Sequence, residues 1–225
     1  MLLHLFTALA LVLLPADRSV AAIGGGGGDG QFVYNGFEGA NLSLDGAATV
    51  TPNGLLMLTN GSLQMKGHAF HPSPLPFRDA ARSFSATFVF AIYGPYADLS
   101  SHGLAFFVCP DKELLSTALP GQFLGLLNDT DNGNRSARIF AVEFDTLFNA
   151  EFHDINSNHV GVDVNCLDSR VAADAGYYDD GTGQFRNLSL ISRKAMQVWV
   201  DYDGRAMQIT VTMAPSGSHL WTNAN

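Results

Sequence analysis

Cysteines, basic clusters and long apolar runs are all scarce in this sequence. Only 2 of its 225 residues are cysteine, too few for a small fold held together by many disulfides. Twelve Lys and Arg stand against 21 Asp and Glu, a formal net charge of −9, and the basic residues form no run. Nucleic acids and anionic membranes need clustered basic residues, so neither is expected as a partner. No apolar stretch reaches the roughly 20 residues that span a bilayer.

A sustained helical period of apolar residues is also missing after the amino-terminal segment. Short alternating or apolar runs occur instead, separated by Gly, Asn, Asp and Pro, and Phe is frequent at 16 copies. The strand candidates are 83–92, 104–109, 139–146 and 159–165, with a hairpin of 198–202 and 207–211 around Asp203-Gly204. These features predict an all-β sandwich or barrel.

The amino-terminal segment resembles a secretory signal. Residues 2–14 are almost all apolar, and small residues at 20–22 offer a cleavage point, so residues 1–22 are predicted to be a signal peptide. A buried core helix is the alternative. Residues 23–30 are predicted to be a Gly-rich linker, and the folded domain is expected to begin at residue 31.

Five Asn-x-Ser/Thr sequons support a secreted, extracellular location and predict a glycoprotein. An oxidising compartment would permit a disulfide between Cys109 and Cys166, although the sequence leaves open whether they pair. The predicted glycosylation sites are Asn41, Asn60, Asn128, Asn134 and Asn187.

Acidic side chains interrupt the apolar strand candidate at 139–146. Glu143 and Asp145 are two residues apart and share a face of that strand, where buried carboxylates would repel each other and lose hydration. A bound cation resolves both problems. Asn149 and Asp154 add oxygen donors suited to calcium, and His159 adds a nitrogen donor suited to manganese or another transition metal. The alternative is a solvated strand edge with ordinary surface acids and a structural histidine.

The segment 142–149, with Asp154 and residues 159–165 after it, resembles the metal-binding signature of the legume (L-type) lectins. Further similarity lies at 102–107, 123–126 and 198–203, and the chain most resembles the extracellular lectin domains of plant lectin receptor-like kinases. The resemblance implies a concanavalin-like jelly-roll β-sandwich of two antiparallel sheets over residues 31–215. It identifies residues 216–225 as a divergent tail of a domain that is incomplete at its carboxyl terminus.

The resemblance also implies the roles of individual residues. Glu143 and His159 would bind the transition metal, Asp145 and Asp154 would bridge both ions, and Asn149 with the Leu147 carbonyl would complete the calcium shell. The Asn149 amide and a backbone amide near Gly121 would contact a saccharide. The expected partner is a glycan or a cell-wall-derived ligand, and the oligomeric state, including a homo-oligomer, stays open.

Two positions depart from the family pattern. His102 stands where the family usually has an aspartate that accepts bonds from two sugar hydroxyls, and a neutral imidazole offers one acceptor. Leu147 stands where many members have an aromatic ring. These changes leave a second function open, in which a peptide, protein or apolar ligand is recognised and the metals are purely structural.

A glycoside hydrolase is the remote alternative. Glu143-x-Asp145 matches half of a hydrolase strand motif, but the second acid would fall at Leu147 or Phe148. Since retaining hydrolysis needs two suitably spaced carboxyls, the chain is not expected to be an enzyme.

Overall fold

The computed structural model describes residues 31–75, 82–94 and 101–216. The predicted signal peptide, the linker at 23–30 and tail residues 217–225 lie outside the described residues. The helices of the described ranges are short 3-10 turns at Lys112–Thr117, Gly121–Phe123, Arg135–Ala137 and Ala150–Phe152. The strands are β1 (Ser43–Gly46), β2 (Thr49–Val50), β3 (Leu56–Met57), β4 (Gly67–Phe70), β5 (Phe84–Phe90), β6 (Gly103–Val108), β7 (Phe140–Asp145), β8 (His159–Val164), β9 (Val171–Asp174), β10 (Gly176–Tyr178), β11 (Phe185–Asn187), β12 (Met196–Asp203) and β13 (Gln208–Pro215).

Two antiparallel sheets form the body of the fold. One has the order β6-β7-β8-β9 and the other the order β13-β12-β5, while β1 pairs with β4, β2 with β3 and β10 with β11. Every strand expected from the sequence is present, with bounds that differ by up to two residues in β5 to β8. The all-β class is therefore confirmed.

The two sheets pack face to face through aromatic side chains. Phe88 of β5 stacks on Phe106 of β6 at 5.8 Å between ring centroids, and Phe90 lies 4.8 Å from Phe144 of β7. Alternate residues of β5 point into this core, as its sequence pattern predicted, because successive strand side chains face opposite ways. The arrangement is a β-sandwich.

A second apolar cluster covers the outer face of the four-stranded sheet. Ala141 of β7 is buried there against Phe123, Leu126 and Leu127 of the connection that follows β6. All six residues of β7 are consequently buried, on one side against the other sheet and on the other beneath this loop layer.

The hairpin between β12 and β13 turns at the predicted dipeptide. Asp203 Oδ1 accepts hydrogen bonds from the backbone amides of Arg205 at 2.8 Å and Ala206 at 3.1 Å. Asp203 pairs with Gln208 across the turn. The aspartate thus satisfies the turn amides, which is the usual reason for its presence in turns.

Cys109 and Cys166 do not form a disulfide; the first is buried and the second is half-buried. Burial raises the pKa of the Cys109 thiol to about 11, so this side chain stays protonated at neutral pH. Among the described residues, no helix has the length and apolar character needed to cross a membrane.

Candidate functional site

Strand β7 places two carboxylates side by side on its outer face. Glu143 and Asp145 alternate with Val142 and Phe144, which face the sandwich core. Only 2% of Glu143 and 4% of Asp145 is exposed to solvent. The predicted shared face is present, and the burial decides against the alternative of a solvated strand edge. Buried acids at this spacing require a proton or a cation.

Strand β8 brings a histidine against this pair. His159 is opposite Asp145 in the β7–β8 register and is fully buried. Its Nε2 lies 3.3 Å from Oε1 of Glu143, and its Nδ1 lies 2.8 Å from the carbonyl oxygen of Asn156. Both partners accept hydrogen bonds, and a neutral imidazole has only one N–H. A shared proton or a metal ion on the Nε2 side therefore suits this geometry.

The loop after β7 supplies a third donor. Ligand atoms of Glu143, Asp154 and His159 all lie within 4.8 Å of one another. Asp154 is half-buried, and its Oδ2 accepts a 2.6 Å hydrogen bond from the backbone amide of Asn149. Asp145 lies beside this trio, and its Oδ1 accepts a 2.7 Å bond from the amide of Leu147. Two carboxylates and an imidazole are a donor set that first-row transition metals accept.

The electrostatics of the site favour positive charge. Burial, with further contributions from Asp154 and Glu143, raises the pKa of Asp145 to about 7. Burial also raises the pKa of Asp154. For His159, burial lowers the pKa, but the hydrogen bonds to Glu143 and Asn156 outweigh it and the pKa rises. All three groups therefore hold protons more tightly than usual, as expected where acids crowd without a cation.

Two residues next to the trio were not assigned a role from the sequence. Ser169 Oγ lies 2.8 Å from Oε1 of Glu143 and 2.7 Å from Oδ1 of Asp163, which is 2% exposed. Oδ2 of Asp163 is buried without a hydrogen-bond partner among the described residues, and burial raises the pKa of this carboxyl well above its usual range. Asp163 could have been found from its spacing, because His159, Gly161 and Asp163 share one face of β8. Ser169 follows a turn, and no sequence period marks it.

The predicted saccharide-contacting residues also meet in space. Nδ1 of His102 lies 3.2 Å from Oδ1 of Asn149. A Cβ placed on Gly121 would lie 3.6 Å from Nε2 of His102. Asn149 Nδ2 donates to Oε1 of Glu151 at 3.3 Å, and Leu147, two residues earlier in the chain, is half-buried. His102 thus lies between the metal-site loop and the loop that carries Gly121.

The five predicted glycosylation sites differ in exposure. Asn128 is half-buried, and its Nδ2 donates to Oδ2 of Asp131 at 2.8 Å and to the Thr117 carbonyl oxygen at 3.3 Å. The other four side chains are exposed to solvent: Asn41, Asn60, Asn134 and Asn187.

Solved structures of plant lectins share this fold. A lectin from Bauhinia forficata in complex with GalNAc is 28% identical, with a TM-score of 0.62 over 79% of this chain and 74% of that one. The metal-free form of lectin I-B4 from Griffonia simplicifolia is 27% identical, with a TM-score of 0.61 over 78% of this chain and 73% of that one. These similarities confirm the jelly-roll sandwich predicted from the sequence.

Receptor kinases with lectin domains are similar in sequence. The L-type lectin-domain containing receptor kinase SIT2 of Oryza sativa subsp. japonica is 62% identical over 83% of this chain. Receptor kinase IV.1 of Arabidopsis thaliana is 53% identical over 82% of it. The chain spans 28% of the length of each. The Legume lectin domain family model matches residues 29–224. The domains of this family are non-enzymatic, so the expectation that this domain is not an enzyme is confirmed. The chain belongs to the legume lectin domain family, as the resemblance of residues 142–165 to the family's metal-binding signature predicted.

Proposed function

We propose that this lectin domain binds a glycan outside the cell at a saccharide pocket organised by calcium and a transition metal such as manganese. The observation that carries the proposal is the convergence of Glu143, Asp154 and His159 within 4.8 Å. This trio is joined through the Asn149 loop to His102 and Gly121.

The donors fit the two metals of the family. Glu143 and His159 would hold the transition metal through an oxygen and a nitrogen, and the carboxylates of Asp145 and Asp154 would serve both ions. Asn149 and the carbonyl of Leu147 would complete the calcium shell. When bound, the ions supply fixed positive charge that offsets the repulsion between the acids. The acids around Asp145 could then be ionised together at neutral pH.

The protein's own groups would recognise the sugar. The Asn149 amide can donate through Nδ2, and Gly121, whose φ is +71°, places its backbone beside the ring of His102. His102 provides a single acceptor where a carboxylate would provide several, so binding of one neutral sugar unit should be weak. A longer glycan, such as a cell-wall-derived oligosaccharide, would add contacts and compensate.

An extracellular location is proposed on three grounds. Residues 1–22 have the pattern of a secretory signal, and four of the five sequons present exposed asparagines. The relatives are receptor kinases with lectin domains. The partner would therefore be met at the cell surface, either by single chains or by a homo-oligomer.

The bond between His102 and Asn149 Oδ1 favours a second candidate. This hydrogen bond occupies the Asn149 oxygen that calcium would use. Leu147 also offers an aliphatic contact where many family members have an aromatic ring. A site of this kind could recognise a peptide, protein or apolar ligand while its metals serve only the fold.

A glycan array separates the two functions. The full chain would be loaded with calcium and manganese and compared with chelated protein and with Asn149→Ala. Exposed Asn53, in a turn remote in sequence, gives a matched control, Asn53→Ala. Glycan binding that is lost with chelator and in Asn149→Ala, but kept in Asn53→Ala, supports the proposal. No glycan signal from the metal-loaded wild type contradicts it and favours the second candidate.

A further inference from the structure

The loop that carries Gly121 is attached to the sandwich by two basic side chains from one strand end. This loop, residues 115–127, is called here the Gly121 loop. Lys66, just before β4, directs its Nζ at three backbone carbonyls, at 2.9 Å from Leu115, 3.1 Å from Ser116 and 2.7 Å from Ala118. Three hydrogen bonds are the full donor capacity of an ammonium group.

His68, two residues further on, holds the other end of the loop. Its Nε2 lies 2.8 Å from the carbonyl oxygen of Gly125, and only 3% of the residue is exposed. Gly125 has a φ of +74°, and a Cβ there would lie 2.8 Å from the same Nε2, so the imidazole can approach only a glycine. Lys66 and His68 thus fix the backbone on both sides of Gly121.

The second ring nitrogen of His68 faces another acceptor. Nδ1 lies 3.0 Å from Oδ2 of Asp45, which is directly opposite His68 in the β1–β4 pair. The hydrogen bond from His68 lowers the pKa of Asp45, so its carboxyl is ionised at neutral pH and can only accept. A carbonyl oxygen also can only accept. A neutral imidazole donates to one of these two oxygens, whereas an imidazolium donates to both.

Aromatic rings form the other walls around His68. The rings of Phe70 and Phe107 lie 5.8 and 6.1 Å from it between centroids. Asp45 of β1 feels the charges of His68 and of Lys66, which lies just before β4. The ammonium of Lys66 faces the loop carbonyls, which leaves Asp45 as the charged partner of the ring.

We propose that Lys66 and His68 are positioning residues that hold the Gly121 loop over the saccharide pocket. Neither residue is assigned to the pocket, so both act through the loop. The effect on glycan affinity rests on the proposed function, whereas the effect on the loop does not.

Amide hydrogen exchange on the full, metal-loaded chain tests the loop directly. The amides of Leu119 and Gly125 bond within the loop, to Leu127 and Leu119, and report on its opening. After correction for intrinsic exchange rates, their protection should fall about two- to tenfold in His68→Phe, the equivalent of one lost hydrogen bond. His71→Phe, three positions away where Nδ1 lies 2.7 Å from the carbonyl oxygen of Ser73, should leave it unchanged.

Asp45→Asn is the conservative variant. Its side-chain amide can donate to Nδ1 or accept from it, so His68 keeps both partners and protection should stay near the wild-type level. Lys66→Met should lower protection, while Lys112→Met should not, because among the described residues its ammonium reaches the Ser43 hydroxyl at 3.3 Å and no loop carbonyl.

Glycan affinity is measured in parallel with metal content. Weaker glycan binding in Lys66→Met and His68→Phe than in the wild type, with both metals retained, supports the positioning role. Unchanged loop protection in Lys66→Met or in His68→Phe overturns it. Loop protection that falls in both variants of a protein that binds no glycan contradicts the proposed function while supporting the loop attachment.

Discussion

Nε2 of His159 lies 3.3 Å from Oε1 of Glu143, and these two buried side chains come from neighbouring strands. Nδ1 of His159 lies 2.8 Å from the carbonyl oxygen of Asn156. This contact fixes the ring, so Nε2 is directed at the carboxylate of Glu143. Buried groups of this kind destabilise a fold unless a proton or a cation lies between them.

Gly161 leaves the space that this pair needs. A Cβ at this position would collide with Oγ of Ser169 and Oε1 of Glu143. We expect Gly161→Ala to lower the free energy of unfolding by about 1–3 kcal/mol and to weaken metal binding. Urea unfolding and calorimetric metal titration measure both effects. Gly181→Ala is the control, since its Cβ would meet only Asp179 Oδ1 at 3.6 Å. Equal stability of the two variants would contradict the expected crowding.

The stability of the metal-free protein should depend on pH in a defined direction. The pKa of Asp145 is raised from 3.8 to about 7, so the folded state holds a proton that the unfolded state releases. The contribution of Asp145 to the free energy of unfolding is therefore fully present below about pH 4 and is lost as the pH rises through about 7. The raised pKa values of Asp154 and His159 act in the same direction. The total loss is on the order of a few kcal/mol.

Thermal unfolding of chelated protein between pH 4.5 and 7.5 measures this dependence. Calcium and manganese should raise the Tm most near pH 7.5. Metal binding requires the carboxyls and the imidazole to lose their protons, and fewer protons have to be displaced at that pH. A Tm of the chelated protein that rises with pH would contradict the assignment of Asp145, Asp154 and His159 to one coupled cluster.

His102 should limit affinity for neutral sugars. His102→Asp supplies a second acceptor where the imidazole has one, and we expect about tenfold tighter binding of a monosaccharide to the metal-loaded chain. His102→Asn is the matched control, as it is neutral and has one acceptor group. Isothermal titration measures the change. Weaker binding in His102→Asp than in wild type would mean that the imidazole itself contacts the ligand.

Much of the fold could be predicted because its strands have clear two-residue periods. The alternation in β5 and the Asp203 turn gave correct strands and faces, and the shared face of Glu143 and Asp145 followed from the same period. Burial of Ala141 on the same face of β7 involves Phe123, Leu126 and Leu127, which lie in a loop without periodicity. That layer could therefore not be derived from local pattern.

Other site features depend on contacts between distant segments. Ser169 reaches Glu143 across 26 positions, and Lys66 reaches Ala118 across 52. His102 meets Asn149 across 47 positions, although each had been assigned to the pocket by resemblance. Sequence spacing carries no information about such pairs, because loop conformation sets them.

The two-ion arrangement is tested most directly by counting metals in Asp145→Ala. The wild-type chain, dialysed against calcium and manganese, should retain one of each per chain by elemental analysis. Exposed Asp201 of β12 provides the control, and Asp201→Ala should match the wild type. Asp145→Ala should lose both ions, because one carboxylate is proposed to serve each. Stoichiometric calcium and manganese in a folded Asp145→Ala protein would contradict the account.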